Sequence, residues 1–249
     1  CFTNTSINAD TYAWDFGDTN TDTVINPCHT YINATTSNFS VFAELIATNT
    51  YGCADTATQQ IDVYANPIAQ FMPDATSGCN PFPVTIQNTS IGGSNYYWDY
   101  GDGATSTTGA GSHVHNYSNL GSTTLTYDLE LIAETPQGCR DTMIQTITVF
   151  PEVTATYTSD TAGCHPIIIC FNNTSTNATI WNWDFGDGST STLQDPSHDF
   201  VNTGTTDTTY NVMMIASTLF GCADTAYSTV TVYPGVSASF THDGFPGCA

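Results

Sequence analysis

Apolar and polar residues alternate along this chain in short runs. Residues 84–88 (Val-Thr-Ile-Gln-Asn) and 125–132 (Leu-Thr-Tyr-Asp-Leu-Glu-Leu-Ile) place apolar side chains at every second position for most of their length. That is the period of a strand, whose successive side chains point to opposite faces of a sheet. Residues 142–149 alternate again after a Gly-Cys turn. The runs are separated by Gly, Pro and Asn at roughly 8–12 residue spacing, and no segment sustains a 3.6-residue apolar period. The pattern predicts an all-β fold, with antiparallel sandwiches of about seven strands.

The pattern also repeats. Trp14-Asp15-Phe16-Gly17-Asp18 returns as Trp98-Asp99-Tyr100-Gly101-Asp102 and Trp183-Asp184-Phe185-Gly186-Asp187, at offsets of 84 and 85 residues. Upstream, Asn4-Thr5-Ser6 matches Asn88-Thr89-Ser90 and Asn173-Thr174-Ser175. Downstream, Gly52-Cys53-Ala54-Asp55-Thr56 matches Gly138-Cys139-Arg140-Asp141-Thr142 and Gly221-Cys222-Ala223-Asp224-Thr225. A last marker, Gly78-Cys79, returns as Gly163-Cys164 and Gly247-Cys248. Fixed-period self-similarity of this kind is the mark of a repeat architecture.

A strand, then Trp-Asp-Phe-Gly-Asp, then a Pro-x-His-x-aromatic element, then a long strand and hairpin, resembles the polycystic-kidney-disease (PKD) domain. The third element reads Pro27-Cys28-His29-Thr30-Tyr31 and Pro196-Ser197-His198-Asp199-Phe200; the middle copy has His113-Val114-His115-Asn116-Tyr117 and lacks the proline. The resemblance implies tandem immunoglobulin-like β-sandwiches, an extracellular setting, and no catalysis. On this register the domains run 1–65 (without its first strand), 66–150, 151–233, and 234–249 as the start of a fourth, so the sequence reads as an excerpt of a longer array from a large bacterial secreted or surface protein. Each joint is short and carries a proline: Pro67, Pro151 and Pro234. Proline fixes φ and favours extended backbone before it, which predicts stiff joints and an extended rod.

Composition narrows the function. There are 23 acidic residues and one basic residue, Arg140, for a formal net charge of −22. Nucleic-acid binding is excluded, because it needs cations to displace phosphate counterions. Lysine chemistry is excluded by the absence of lysine. No run of about 18 apolar residues is present, so no membrane-inserting helix is expected here. The surface must instead be built from uncharged residues, above all the 45 threonines.

Nine cysteines suggest an oxidising compartment. In the sandwich that the resemblance implies, the first loop (Cys79, Cys164, Cys248) and the last hairpin (Cys53, Cys139, Cys222) lie at opposite ends of one domain. A bridge such as Cys79–Cys139 would span a strand length, beyond the ~4.4–6.8 Å Cα separation of a disulfide. The first loop of one domain does face the last hairpin of the next. The expected pair is therefore Cys79–Cys222, with Cys53, Cys139, Cys164 and Cys248 bonding to domains outside this window. The competing reading is that loop cysteines bond wherever they first can. Cys1–Cys28 is a second candidate pair, and Cys170 is left over.

Candidate chemistry is sparse. His29, His115 and His198 share a column, and a thrice-repeated catalytic histidine is less economical than a structural one packed on the Trp-Asp-Phe turn. His113, His165 and His242 are unshared and expected at the surface. No Gly-x-Ser-x-Gly or His-Glu-x-x-His motif occurs, so no enzyme is expected and no cofactor is required. Asp99, Asp102, Asp184 and Asp187 could hold calcium, a cation that prefers carboxylate oxygens; alternatively each accepts hydrogen bonds from its own turn. Asparagine sequons occur at Asn4, Asn33, Asn38, Asn88, Asn116, Asn172, Asn173 and Asn177. Thr56, Thr142 and Thr225 each follow Asp and precede Ala or Met, which resembles an O-glycosylation acceptor of secreted Gram-negative proteins; alternatively Asp-Thr simply opens the last strand. Tyr12, Tyr96 and Trp181 form either an aromatic stripe for sugar rings or a covered sheet face.

The first function expected is an acidic, disulfide-braced structural segment of an extracellular or cell-surface fibre, stalk or adhesin whose partner is itself, as a tandem array or filament. The alternative is a polysaccharide- or protein-binding accessory or spacer of a secreted hydrolase, with a glycan or cell-surface polymer as partner.

Overall fold

A computed structural model describes residues 1–242 and 244, and every regular element in it is a strand. No helix among the described residues is long and apolar enough to cross a membrane. The described chain divides into two compact units. One comprises residues 1–76, 83–115 and 127–147, the other 77–82, 116–126 and 148–249.

In the first unit, a four-stranded sheet carries Thr21–Asp22, Thr11–Asp15, Phe39–Thr48 and Ala54–Val63, in that order. The long strands pair antiparallel from Phe39↔Val63 to Thr48↔Ala54. Trp14 faces Leu45 across the sheet. Farther along the chain, Asn95–Asp99 pairs with Leu125–Glu134 so that Trp98 faces Leu131, and Phe71–Pro73 pairs with the end of Phe82–Asn88, the middle strand of a second sheet.

The second unit holds the region from residue 148 onward. Its main sheet orders Ala162–Cys164, Ala223–Tyr233, Thr208–Ser217, Ile180–Asp184 and Thr190–Ser191. A second face is made by Ile167–Cys170 with Ser197–Phe200 and by Tyr157–Thr158 with Asn172–Asn173. The short strand Ala162–Cys164 runs parallel to the end of its neighbour, with Cys164 opposite Tyr233. Ser77–Cys79 does the same, with Cys79 opposite Phe150.

Alternation explains why these residues bury as they do. Val212, Met214 and Ala216 leave no side chain exposed, while the residues between them are half-buried. They close on Ile169, Phe171, Trp183, Phe185, Phe200, Val230 and Val232, a single core. Packing of two alternating faces about 10 Å apart is the sandwich solution to burying one face of each sheet. Around Trp14 the buried core is much smaller, comprising Trp14, Phe16 and Leu45 with Phe2, Tyr12 and Tyr31 against them.

Candidate functional site

The feature repeated most closely is built on the Trp-Asp-Phe-Gly-Asp turn. The first aspartate caps the turn it opens: Asp15, Asp99 and Asp184 accept from the amides of Gly17, Gly101 and Gly186 at 2.8, 2.9 and 2.9 Å. Those glycines have φ of +74°, +76° and +79°, and a Cβ at Gly186 would collide with the backbone of Asn211. Only glycine satisfies both demands.

The second aspartate does two jobs. Its Oδ1 accepts from a backbone amide two residues on, in Asn20, Ala104 and Ser189. Its Oδ2 lies 2.7 Å from His Nε2 in all three copies: His29–Asp18, His115–Asp102 and His198–Asp187. The histidine ring stacks on the aromatic between the two aspartates, at centroid distances of 4.3, 3.8 and 4.2 Å from Phe16, Tyr100 and Phe185. The tryptophan indole donates to a carbonyl ten residues on, in Val24, Thr108 and Leu193. Burial raises the Asp102 and Asp187 carboxyls, but the bonds from histidine and the turn amide outweigh it and hold both below the usual carboxylate range. For Asp18 the His29 bond is the leading cause of the same lowering.

The expected calcium positions Asp99, Asp102, Asp184 and Asp187 are thus hydrogen-bonded within their turns, and no cluster of three metal-ligating side chains occurs among the described residues. What the arrangement can do chemically is pin a turn to the strand that crosses it.

A second constellation lies four residues after each of these histidines, and sequence reasoning missed it. Asn33, Asn119 and Asn202 each donate through Nδ2 to two carbonyls: Ser37 and Val63, Thr123 and Val149, Thr206 and Val232. Asn119 and Asn202 are buried. The repeated His-x-x-x-Asn spacing was the available signal. Asn33, read above as a sequon, uses its amide in this clamp.

Two histidines correct the expectation that unshared histidines sit at the surface. His113 packs edge-on against Trp98, and both of its ring nitrogens are buried without a hydrogen-bond partner. It stands where the other copies have buried Pro27 and Pro196. His165 accepts from the Asn202 amide at 3.1 Å. His242 is exposed.

Cys79 is disulfide-bonded to Cys222 with Cα atoms 5.5 Å apart, and Cys1 to Cys28. Cys53, Cys139, Cys164 and Cys170 are thiols, with Cys139 half-buried and the others exposed; Cys248 lies outside the described residues. Around the first bond, Phe150 stacks on Phe220 at 4.2 Å, Asn80 donates to Glu152, and Asn177 donates to the Glu152 carbonyl at 2.8 Å. Cys79 and Phe150 both pack against the core that contains Trp183.

Thr56 and Thr142 are exposed and Thr225 is half-buried. The aspartates before the last two have a structural use: Asp141 accepts from the Ala69 amide and Asp224 from the Ala155 amide, each at 2.8 Å. Tyr12 and Tyr96 bond local carbonyls, and Trp181 packs on the core with its indole nitrogen buried, so the three do not form an open platform. Arg140 pairs with Glu134 and lies over Tyr97.

The PKD domain model matches this sequence over residues 151–232. Residues 151–232 are a PKD domain. The His198–Asp187 pair, the Trp183 turn and the Asn202 clamp all belong to it, and the same contacts recur around Trp14 and Trp98. No curated protein matches the chain. Among solved structures, it is similar to the PKD1 domain of the Vibrio cholerae metalloprotease PrtV, with 30% identity over 34% of this chain and 99% of that one, TM-score 0.28. The PKD1 domain of Vibrio anguillarum Epp is 22% identical over 33% of this chain and 95% of that one, TM-score 0.28. Fibronectin(III)-like modules of Clostridium thermocellum CbhA are 15% identical over 70% of this chain and all of that one, TM-score 0.32.

Proposed function

We propose that the chain is a structural repeat segment of an extracellular fibre, stalk or adhesin. It is built of PKD-type domains at 1–65, 66–150 and 151–233, with another begun at 234–249. The observation that carries this reading is the joint around Pro151. A disulfide closes 143 residues of sequence there, beside an aromatic stack and two bonds to Glu152. Flexible spacers are usually Gly- or Ser-rich and make few contacts; this joint is short, prolyl and covalently braced.

Support also comes from what is repeated. Each copy spends its histidine, aspartates and asparagine on holding its own turns, which suits a unit selected for rigidity. The near absence of Lys and Arg leaves trypsin-like proteases a single target, and the disulfides fit an oxidising, extracellular location. Exposed Thr56 and Thr142 would be open to O-glycans, as further stiffening of the same segment.

The test is negative-stain electron microscopy of the native, full-length material. Uniform fibres with a regular domain-length period are the expected result. Short beads attached to a globular body would instead make the segment a spacer of a secreted enzyme.

A further inference from the structure

The middle copy differs from its neighbours along one sheet edge. Its second sheet orders Gly111–Tyr117, Phe82–Asn88 and Phe71–Pro73, which makes Gly111–Tyr117 an outer strand. That strand has seven residues, whereas its counterpart near Trp183, Ser197–Phe200, has four. An edge strand offers a row of backbone groups to any extended chain that approaches. Proteins guard such edges with proline, charge and brevity.

The copy around Trp183 uses all three guards. Pro196 stands immediately before its short strand, and Asp199 is exposed upon it. In the copy around Trp14, Pro27 holds the same column and Cys28 beside it is disulfide-bonded. The middle copy has His113 in place of the proline and Asn116 in place of the aspartate. From residue 103 to 127 it contains no Asp, Glu, Lys or Arg, in a chain of formal net charge −22.

The neighbouring copies show which backbone groups turn outward. The carbonyls of Pro27 and Pro196 accept from the amides of Phe2 and Phe171, so that column faces the inner strand. Along an antiparallel strand, residues alternate between bonding one side and the other. His113, in the proline column, therefore turns its backbone inward, and Ser112, Val114 and Asn116 turn theirs to the open side. All three are exposed, Val114 at 58%.

We propose that Gly111–Tyr117 pairs antiparallel with the same strand of a second copy of this chain, about a two-fold axis at Val114. Val114 then faces its counterpart, and Ser112 faces Asn116 in both directions. Each outward amide and carbonyl of these residues gains a partner. The strand is matched to itself: on either side of Val114 stands a histidine, and beyond it a small polar residue. Two molecules this acidic repel each other, and an edge without charges is where they can approach closely. Charges more than about 8 Å away are largely screened at physiological ionic strength. Pairing of identical strands in this way is isologous and closes at two molecules. It joins the chains side by side and does not depend on the fibre reading.

The test is analytical ultracentrifugation of the 249-residue chain over a wide concentration range, with its free thiols alkylated so that disulfide exchange cannot link molecules. A monomer–dimer equilibrium that tightens with added salt is expected. Val114→Asp sets two carboxylates face to face, and Asn116→Asp restores the guard present near Trp183. Each should weaken the dimer at least about tenfold. Thr142→Asp, equally open to solvent but on the other sheet, should leave it unchanged. All three positions are exposed, so the variants should melt as the parent does. Residue-resolved amide exchange should slow at Ser112, Val114 and Asn116 on dimerisation. A monomer at every concentration, a dimer indifferent to Val114→Asp and Asn116→Asp, one that Thr142→Asp weakens as much, or outward amides that exchange no slower in the dimer would overturn the inference.

Discussion

His113 lies edge-on against Trp98 with ring centroids 4.8 Å apart, in the position filled by proline in the other two copies. The ring fills the space a proline would, but it brings two nitrogens that find no partner. Burial, and after it the neighbouring His115, hold the His113 imidazole below its ordinary value.

That placement makes stability pH-dependent in a defined direction. The unfolded chain takes up the His113 proton near pH 6.5, whereas the folded chain does so only at lower pH. Stability is therefore whole above that pH and declines as the pH falls through it. Thermal melts at pH 7.5 and 5.5 should show the loss, and His113→Leu should reduce it. His113→Pro should stabilise the protein by about 1 kcal/mol, the scale for removing unsatisfied buried polar groups. A melting profile unchanged by both variants would contradict this account.

Acid acts separately on the three His–Asp pairs. Because Asp18, Asp102 and Asp187 are held below the usual carboxylate range, their contribution is present above about pH 4 and is lost as the pH falls through the lower folded values. Asp187→Asn should flatten that part of the acid transition for the PKD domain, read by tryptophan fluorescence. His198→Ala should cost about 1–2 kcal/mol at pH 7, combining one charge-assisted bond with the ring stack on Phe185.

Asn202→Ala should be more damaging than its small size suggests. It leaves the carbonyls of Thr206 and Val232 without their donor in a buried site, at about 1–3 kcal/mol for each unsatisfied group. Urea unfolding would measure it. Asn202→Asp should not rescue, since a carboxylate cannot donate. Equal stability of Asn202→Asp and the parent would show that the amide donor does no work.

Reducing the Cys79–Cys222 bond should loosen the joint rather than unfold the sheets. Chain-entropy arguments put the constraint at up to about 5 kcal/mol for a loop of this length, much of it felt at residues 148–152. Thermolysin digestion with and without reductant should show new cleavage there in the reduced protein, and in Cys222→Ser without reductant. Identical digests would mean that the Phe150–Phe220 stack and the Glu152 bonds hold the joint alone.

The strands, the repeat and the Trp-Asp-Phe-Gly-Asp turn were legible in the sequence because each is a local matter. Alternation, turn residues and a fixed period act over a few residues. The packing of His29, His115 and His198 on that turn was legible for the same reason, since each lies within 11–13 residues of its aspartate. Asn119 and Asn202 were not, because one of the two carbonyls each satisfies lies 30 residues away and is adjacent only once two strands have been laid side by side. His113 was misplaced because its burial depends on what the missing proline leaves open beneath Trp98. Composition and periodicity by themselves determined an acidic, all-β chain of repeating units. Only the tertiary structure decided which carbonyls the asparagines hold, that Phe71 and Tyr157 pack on Trp98 and Trp183, and that the ring nitrogens of His113 are buried without a partner. Those relations depend on groups distant in sequence meeting across a sheet, and no local pattern encodes such a meeting.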